Sequence, residues 1–264
     1  YITNHPEIDT FLASIEVGDI WGIGSRYAKL LRSNRITNAC EFKYLDEKWV
    51  RKNMTIVGHK TLLELRGIPC IGLQDCPEPK KSITVSRMFG KKTTNITYVK
   101  EGLAHYVAGA AQKLRAQSSL TSLVTVFIVA APLYEPRNIY DAVTLELSMG
   151  TNYTPELIEV AHRCLAKLLR PGFIYKKVGV TLHNFVSDNH MQLNTLYSIK
   201  ENFTKDREKR LKFMDVLDKV TTKWGKNIIF FGAEGIEQEW RMNQAKKSAN
   251  FTTNWHELLT INLT

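Results

Sequence analysis

The sequence predicts an α+β chain: a small helical domain, then a four-stranded sheet with two helices, then a small α/β domain. Three observations carry this. Apolar residues over the first 70 positions recur at helical spacing. From residue 81 the period switches to 2, and strands alternate with two helical stretches. Two stretches without periodicity, 71–80 with its two prolines and 188–200, separate these regions and read as linkers.

Residues 1–16 hold one apolar cluster, Phe11, Leu12 and Ile15. Helical spacing then covers 25–33, 39–44, 48–53 and 59–66, with Gly67 and Pro69 ending the last of these. Between 81 and 187 the order is strand 82–89, helix 98–116, strands 120–131 and 138–148, helix 154–169 and strand 174–185. The first of these helices gathers Val99, Leu103, Tyr106, Val107, Ala110 and Leu114 on one face. Thr154 is placed to cap the second, with Pro155 at its first position and Pro171-Gly172 as its stop. This β-α-β-β-α-β order is the split βαβ arrangement. It puts two helices on one sheet face and leaves the other open, with Thr, Ser and Lys pointing outward. Residues 201–264 read as a charged helix over 204–224 (Leu211, Met214, Leu217 and Val220 inward), a strand over 227–231, a helix over 236–247 and an irregular aromatic tail.

The chain has 264 residues, a net charge of +10 and 44% hydrophobic residues, enough to build cores and excess cation enough to favour a polyanionic partner. No apolar run reaches the ~18 residues of a membrane span, and no basic-then-apolar leader opens the chain. It begins with Tyr1 rather than Met, as expected of a fragment or processed product. Cys40, Cys70, Cys76 and Cys164 are scattered and lack the spacing of a zinc site, so they read as reduced thiols in a cytoplasmic protein. The Asn-x-Thr strings at Asn95, Asn202 and Asn250 are short enough to arise by chance. His59, His105, His162 and His183 read as structural. The acidic pairs Asp215/Asp218 and Glu237/Glu239 read as solvated faces rather than metal ligands.

Residues 17–31 predict the partner. Gly22 and Gly24, spaced G-x-G, precede a helix with Tyr27, Leu30 and Leu31 inward and Arg26, Lys29 and Arg32 outward. Glycine lets another molecule approach the backbone, and the free amides of a helix start suit a phosphate oxygen. This is the layout of a helix-hairpin-helix, which grips a nucleic-acid backbone without reading bases. The candidate contacts are Gly22, Ile23, Gly24, Ser25, Arg26 and Lys29. Trp21 reads as a core wedge, the alternative being a base-stacking platform. Val57-Gly58-His59 reads as a second, weaker turn of the same kind.

Two windows carry only positive charge. Lys80, Lys81, Arg87, Lys91, Lys92 and Lys100 form one; Arg163, Lys167, Arg170, Lys176 and Lys177 form the other. One-signed stretches on ordered elements predict a polyanion footprint. The candidates here are Lys81, Ser82, Ser86, Arg87, Lys91, Lys92, Lys176 and Lys177. Alternation puts Ser82, Thr84, Ser86 and Met88 on one strand face, and Ile83, Val85, Arg87 and Phe89 on the other. Arg87 therefore either contacts a DNA backbone or braces the sheet edge.

Five strings occur in one order: Asp19-Ile-Trp-Gly-Ile-Gly24, Glu64-Leu-Arg-Gly-Ile-Pro-Cys70, Ser86-Arg-Met-Phe-Gly90, Gly232-Ala-Glu-Gly235 with Trp240-Arg-Met, and Phe251-Thr-Thr-Asn-Trp255. Together they resemble the C-terminal half of a UmuC-type Y-family translesion DNA polymerase. The resemblance implies the end of the palm and the thumb over 1–70, the DNA-binding little finger over 81–187 and a C-terminal domain over 201–264. It implies DNA as a partner, in primer–template or damaged duplex form. It further implies a sliding clamp, a UmuD-like subunit and a RecA-like recombinase as partners within the SOS response to damage. The palm carboxylates that hold Mg²⁺ for nucleotidyl transfer have no counterpart string here, so no cofactor and no polymerase activity are expected of this chain alone.

Gln192-Leu-Asn-Thr-Leu-Tyr197 resembles a clamp-binding peptide, with Gln192 for the pocket rim and Leu193, Leu196 and Tyr197 as anchors. Thr195 displaces the usual ending. The other reading is a linker packed on its own domain. Two further function classes stay open: an interaction scaffold recruiting the clamp or a UmuD-like subunit, and a stand-alone helix-hairpin-helix repair enzyme such as a glycosylase. The latter would need a catalytic Asp or Lys just after the hairpin, where only Lys29 occurs.

Overall fold

The computed structural model describes residues 7–72, 78–135, 137–188, 203–225, 228–242 and 246–260. The chain divides into two compact units, residues 1–78 and 79–264.

The first unit is helical: α1 (Ile8–Ala13), a one-turn 3-10 helix (Val17–Asp19), α2 (Ser25–Ser33), α3 (Ala39–Lys43) and α4 (Glu47–Leu65). Val17, Leu31, Phe42, Val50, Met54 and Leu62 are fully buried at its centre. In the opening cluster only Leu12 is buried, whereas Phe11 is exposed. Asn38 and Asp46 cap α3 and α4 by accepting hydrogen bonds from the Glu41 and Trp49 amides. The two helices expected over 48–53 and 59–66 are both present within α4, separated by a kink at Thr55, whose φ of 61° departs from helix. The turn expected at 57–59 therefore falls earlier, at Thr55. Gly58 lies inside the helix after the break and is buried against Met54, where a Cβ would overlap the Met54 side chain. Gly67 (φ 82°) ends α4, and the Ile68 amide donates to the Leu63 carbonyl at 2.9 Å, the six-to-one bond of a Schellman cap. Arg66 ties this end to α3, donating to the Lys43 carbonyl (2.8 Å), the Leu45 carbonyl (2.7 Å) and the Glu47 carboxylate (2.7 Å).

The second unit holds β1 (Ile83–Thr93), α5 (Ile96–Ala116), β2 (Ser119–Pro132), β3 (Ile139–Thr151), α6 (Thr154–Leu168) and β4 (Phe173–Ser187). The four strands form one antiparallel sheet in the order β1-β4-β2-β3. Each helix thus joins two strands that run parallel but are split by a third, as the sequence predicts. Register places Val85, Val180, Val126 and Val143 in one row, flanked by Ile83, Leu182, Val124 and Leu145. These rows meet Leu103, Val107, Ala110, Leu157, Ala161 and Leu165 of the two helices in the core. The side chain of Asn95 caps α5 by accepting from the Thr97 amide at 2.9 Å. Thr154 does not cap α6. Tyr153 holds that position without a side-chain bond, and the Thr154 hydroxyl instead accepts from Arg115 at 2.9 Å.

Parts of residues 203–225 and 228–242 pack back onto α5. Helix α7 (Phe203–Trp224) is tied to it by Arg115, whose guanidinium donates to both Asp218 oxygens (2.6 and 2.9 Å) and to the Asn152 carbonyl (2.7 Å). Asp218, expected on a solvated face, is this brace; Asp215 pairs with Lys219 at 2.6 Å. Trp240, 3% exposed, sits on Gly102 beside Phe89, with His105 and Tyr106 around it. Its indole donates to the Glu234 carbonyl (3.3 Å), and the Glu234 carboxylate bonds the His105 ring (2.7 Å). Glu239 accepts from the Tyr98 hydroxyl. The strand expected over 227–231 and the helix over 236–247 do not form among the described residues. Ile229, Phe230 and Phe231 line a cavity beside α5 one by one rather than pairing with a strand. Gly235 (φ 74°) and Gln238 (φ 49°) take left-handed angles that break a helix and turn Trp240 inward.

Candidate nucleic-acid interface

In the first unit the G-x-G elbow is a tight turn closed by the Ile23 amide on the Ile20 carbonyl at 3.0 Å. Gly22 needs to be glycine: its φ is 96°, and a Cβ would press on the Thr61 hydroxyl. Ile23, 5% exposed, pins the turn to the core. Gly24 is different. Its angles (φ −78°, ψ 173°) suit any residue, and a Cβ there would meet nothing within 4 Å. Among the described residues nothing demands glycine at this position. Gly24 is the N-cap of α2 without a capping side chain, and the first turn of α2 carries no acid. Gly24, Ser25, Arg26 and Lys29 are exposed around this amide-rich end. Leu31 is buried as expected, and Arg32 is exposed but bonded to Glu16 at 2.8 Å.

Trp21 is 96% exposed and is not the wedge that the sequence suggested. Ile20 and Ile23 anchor the turn to the core, so Trp21 falls at its outer corner.

In the second unit the open sheet face carries ordered rows. Thr84, Thr181, Thr125 and Thr144 lie side by side across all four strands. Their hydroxyls pair at 3.0 Å (Thr84 to Thr181) and 2.8 Å (Thr125 with Thr144). The next row is Ser86, Gly179, Phe127 and Ala142, and beyond it come Met88, Lys177, Val129 and Tyr140.

The two cationic windows do not map onto one face. Lys81 and Ser82 are exposed just before β1, Ser86 and Lys177 lie on the open face, and Lys91 and Lys92 are exposed at the far end of β1. Lys176 is held by Asn138. Arg87 is on the helix-covered side, level with Val178, where it donates to the Ser86 carbonyl at 2.8 Å and lines a cavity of about 240 Å³ with His105, Tyr106 and Lys113. Its position fits the brace of a sheet edge rather than the open face. Burial pushes the neighbouring Tyr106 phenol up to about 12, with Arg87 pulling it down. Arg163, Lys167 and Arg170 are exposed on and just after α6, and Arg170 pairs with Asp141 at 2.6 Å. The pleat and the helix distribute neighbours in sequence to opposite layers.

Gln192, Leu193, Leu196 and Tyr197 lie outside the described residues. Among the described residues no three His, Cys, Asp or Glu side chains gather as a metal site, and no helix is long and apolar enough to cross a membrane. The sequence reading missed the Phe127–Tyr140 pair and the threonine row. Alternation within 120–131 and 138–148 was the signal for both, but pairing partners follow only from register.

Residues 80–195 match the impB/mucB/samB family C-terminal domain, and residues 212–261 match a domain of unknown function (DUF4113). The sheet and its two helices fall within the first of these matches. The chain is a homologue of the UmuC-type proteins: it is 32% identical to Protein UmuC of Salmonella typhimurium over 95% of its own length and 58% of that protein. Protein SamB of Salmonella typhimurium is 30% identical over 99% of this chain and 60% of its own, and Protein MucB of Escherichia coli 30% over 94% and 57%. The chain spans about three-fifths of the length of these relatives. A solved Y-family DNA polymerase chimera is 17% identical over 69% of this chain and 50% of its own, with a TM-score of 0.43.

Proposed function

We propose that this chain is the DNA-gripping part of an error-prone translesion polymerase that acts in tolerance of DNA damage. It holds primer–template duplex by its sugar–phosphate backbone, and the family's catalytic palm with its Mg²⁺ ions lies outside it. The observation that carries this is the α2 elbow. An exposed helix start without an acid, flanked by Arg26 and Lys29, presents amides to an anion. Among the described residues nothing near Gly24 calls for glycine, which leaves the space open to a phosphate. A backbone grip with few base contacts tolerates distorted duplex, because phosphates position without reading sequence. The homology to UmuC-type proteins supports the same reading.

Aspartate is a good N-cap, so Gly24→Asp keeps or raises thermal stability while setting a carboxylate where the phosphate would sit. Duplex affinity of the full chain, read by fluorescence anisotropy, is expected to fall about tenfold on this substitution. For the unsubstituted chain, log affinity falls linearly with log salt, by about 0.9 per phosphate neutralised. Salt-independent binding, or an unaltered affinity in Gly24→Asp, would remove the backbone-grip reading.

The same proposal assigns clamp binding to Gln192, Leu193, Leu196 and Tyr197. Gln192→Ala with Leu196→Ala is expected to abolish capture on an immobilised sliding clamp and to leave duplex binding unchanged. Loss of both, or of neither, counts against this peptide.

A further inference from the structure

One end of the open sheet face is built unlike the rest. Phe127 lies flat across β4 because Gly179 opposite it has no side chain; a Cβ there would overlap both the Phe127 ring and Ser86. Tyr140 stacks on Phe127, with ring centroids 5.7 Å apart and planes 29° apart, and the Lys177 ammonium lies 5.7 Å from the Phe127 centroid. Phe127 is 8% exposed, so it is a rigid underlayer, while Tyr140 is 65% exposed and offers its ring to solvent. Lys91, Lys92 and Arg137 are exposed at this same end, where β1 meets the start of β4 and the β2–β3 loop returns, and Tyr134 of that loop is 92% exposed. Glu135 is the one acid in the loop residues 133–135 and 137–138.

An aromatic face set among cations is chemically redundant for holding duplex. Bases within a duplex are stacked on each other and show a protein only their edges, whereas an unpaired base exposes a π-face that an aromatic ring can cover. A protein partner or a lipid surface would not call for this excess of positive charge around the stacked rings. The threonine row lies four residues along the strands from Tyr140, roughly 13 Å away, and offers hydroxyls suited to backbone oxygens.

We propose that the Tyr140 end of the open face binds unpaired nucleotides of single-stranded DNA, one base stacking on Tyr140 over Phe127 and the strand's phosphates lying along Lys177, Lys91 and Lys92. This rests on the DNA-binding reading above and adds to it a second substrate form, distinct from duplex.

The test compares a fluorescein-labelled thymidine oligonucleotide with a labelled duplex, by anisotropy at one salt concentration, on the full chain. Tyr140→Ala is expected to weaken oligonucleotide binding about tenfold, the scale of one base–aromatic stack, and to leave duplex binding within about twofold. Tyr140→Phe keeps the ring and is expected to bind the oligonucleotide as the parent chain does. Unchanged melting temperatures for both variants show that the sheet is intact. Equal weakening on both DNAs, or no weakening on either, would overturn the stacking site. Duplex binding without oligonucleotide binding in the parent chain would overturn this proposal alone. Absence of binding to both would overturn it together with the backbone grip.

Discussion

Replacing Trp240 by alanine is expected to destabilise the second unit by about 3–5 kcal/mol, the range for deleting a large buried aromatic side chain. The indole fills the space between Gly102, Phe89, His105 and Tyr106, and its N–H is bonded to the Glu234 carbonyl. Truncation leaves a cavity that these neighbours cannot close, because α5 is fixed on its other side by the sheet. The measurement is a urea unfolding curve on the whole chain. Loss near the top of this range with a single transition is the expected outcome. A change under about 1 kcal/mol would mean that residues 228–242 do not stabilise the sheet domain at all.

Arg115→Ala is expected to cost about 3 kcal/mol, since it strands the partly buried Asp218 carboxylate and takes a donor from the Asn152 carbonyl. Arg115 is only 10% exposed at its side chain and joins three elements, α5, the start of α6 and α7. Asp218→Asn alone should cost less, because the amide oxygen still accepts one of the two bonds. The double variant is expected to be more stable than the sum of the single losses by at least about 1 kcal/mol, since each partner's penalty arises from the other being left charged. Strict additivity in this cycle would show that the pair does not couple α7 to the sheet domain.

Much of the sheet domain was legible. Alternation in 82–89 and 138–148 and one apolar helix face in 98–116 indicate which side of each element is inward, and the register bears this out through the row of four valines. The errors fall where local pattern does not set the outcome. Residues 227–231 look like a strand because Ile228, Ile229 and Phe230 are β-formers, yet a strand also needs a partner, which propensity cannot supply. Trp21 looks like core because it is large and apolar, but in a four-residue turn only two positions face inward. The cationic windows divide between layers for a related reason: closeness in sequence is not closeness in space once a strand alternates. The family-like strings were informative before their cause was visible. Phe89 and Trp240 belong to two of them, 151 positions apart, and they meet over Gly102, where the Gly90 amide also donates to the Trp240 carbonyl at 3.4 Å. These residues make packing, and their pattern carries kinship rather than chemistry.

The seat of Trp240 on Gly102 also bears on how the molecule can be divided. Anyone trimming the chain to its sheet alone would uncover a greasy notch along one helix and strip Arg115 and His105 of their carboxylate mates. The natural cut for a minimal folded piece therefore falls after the tryptophan, not within 188–200, which the composition marks as a linker.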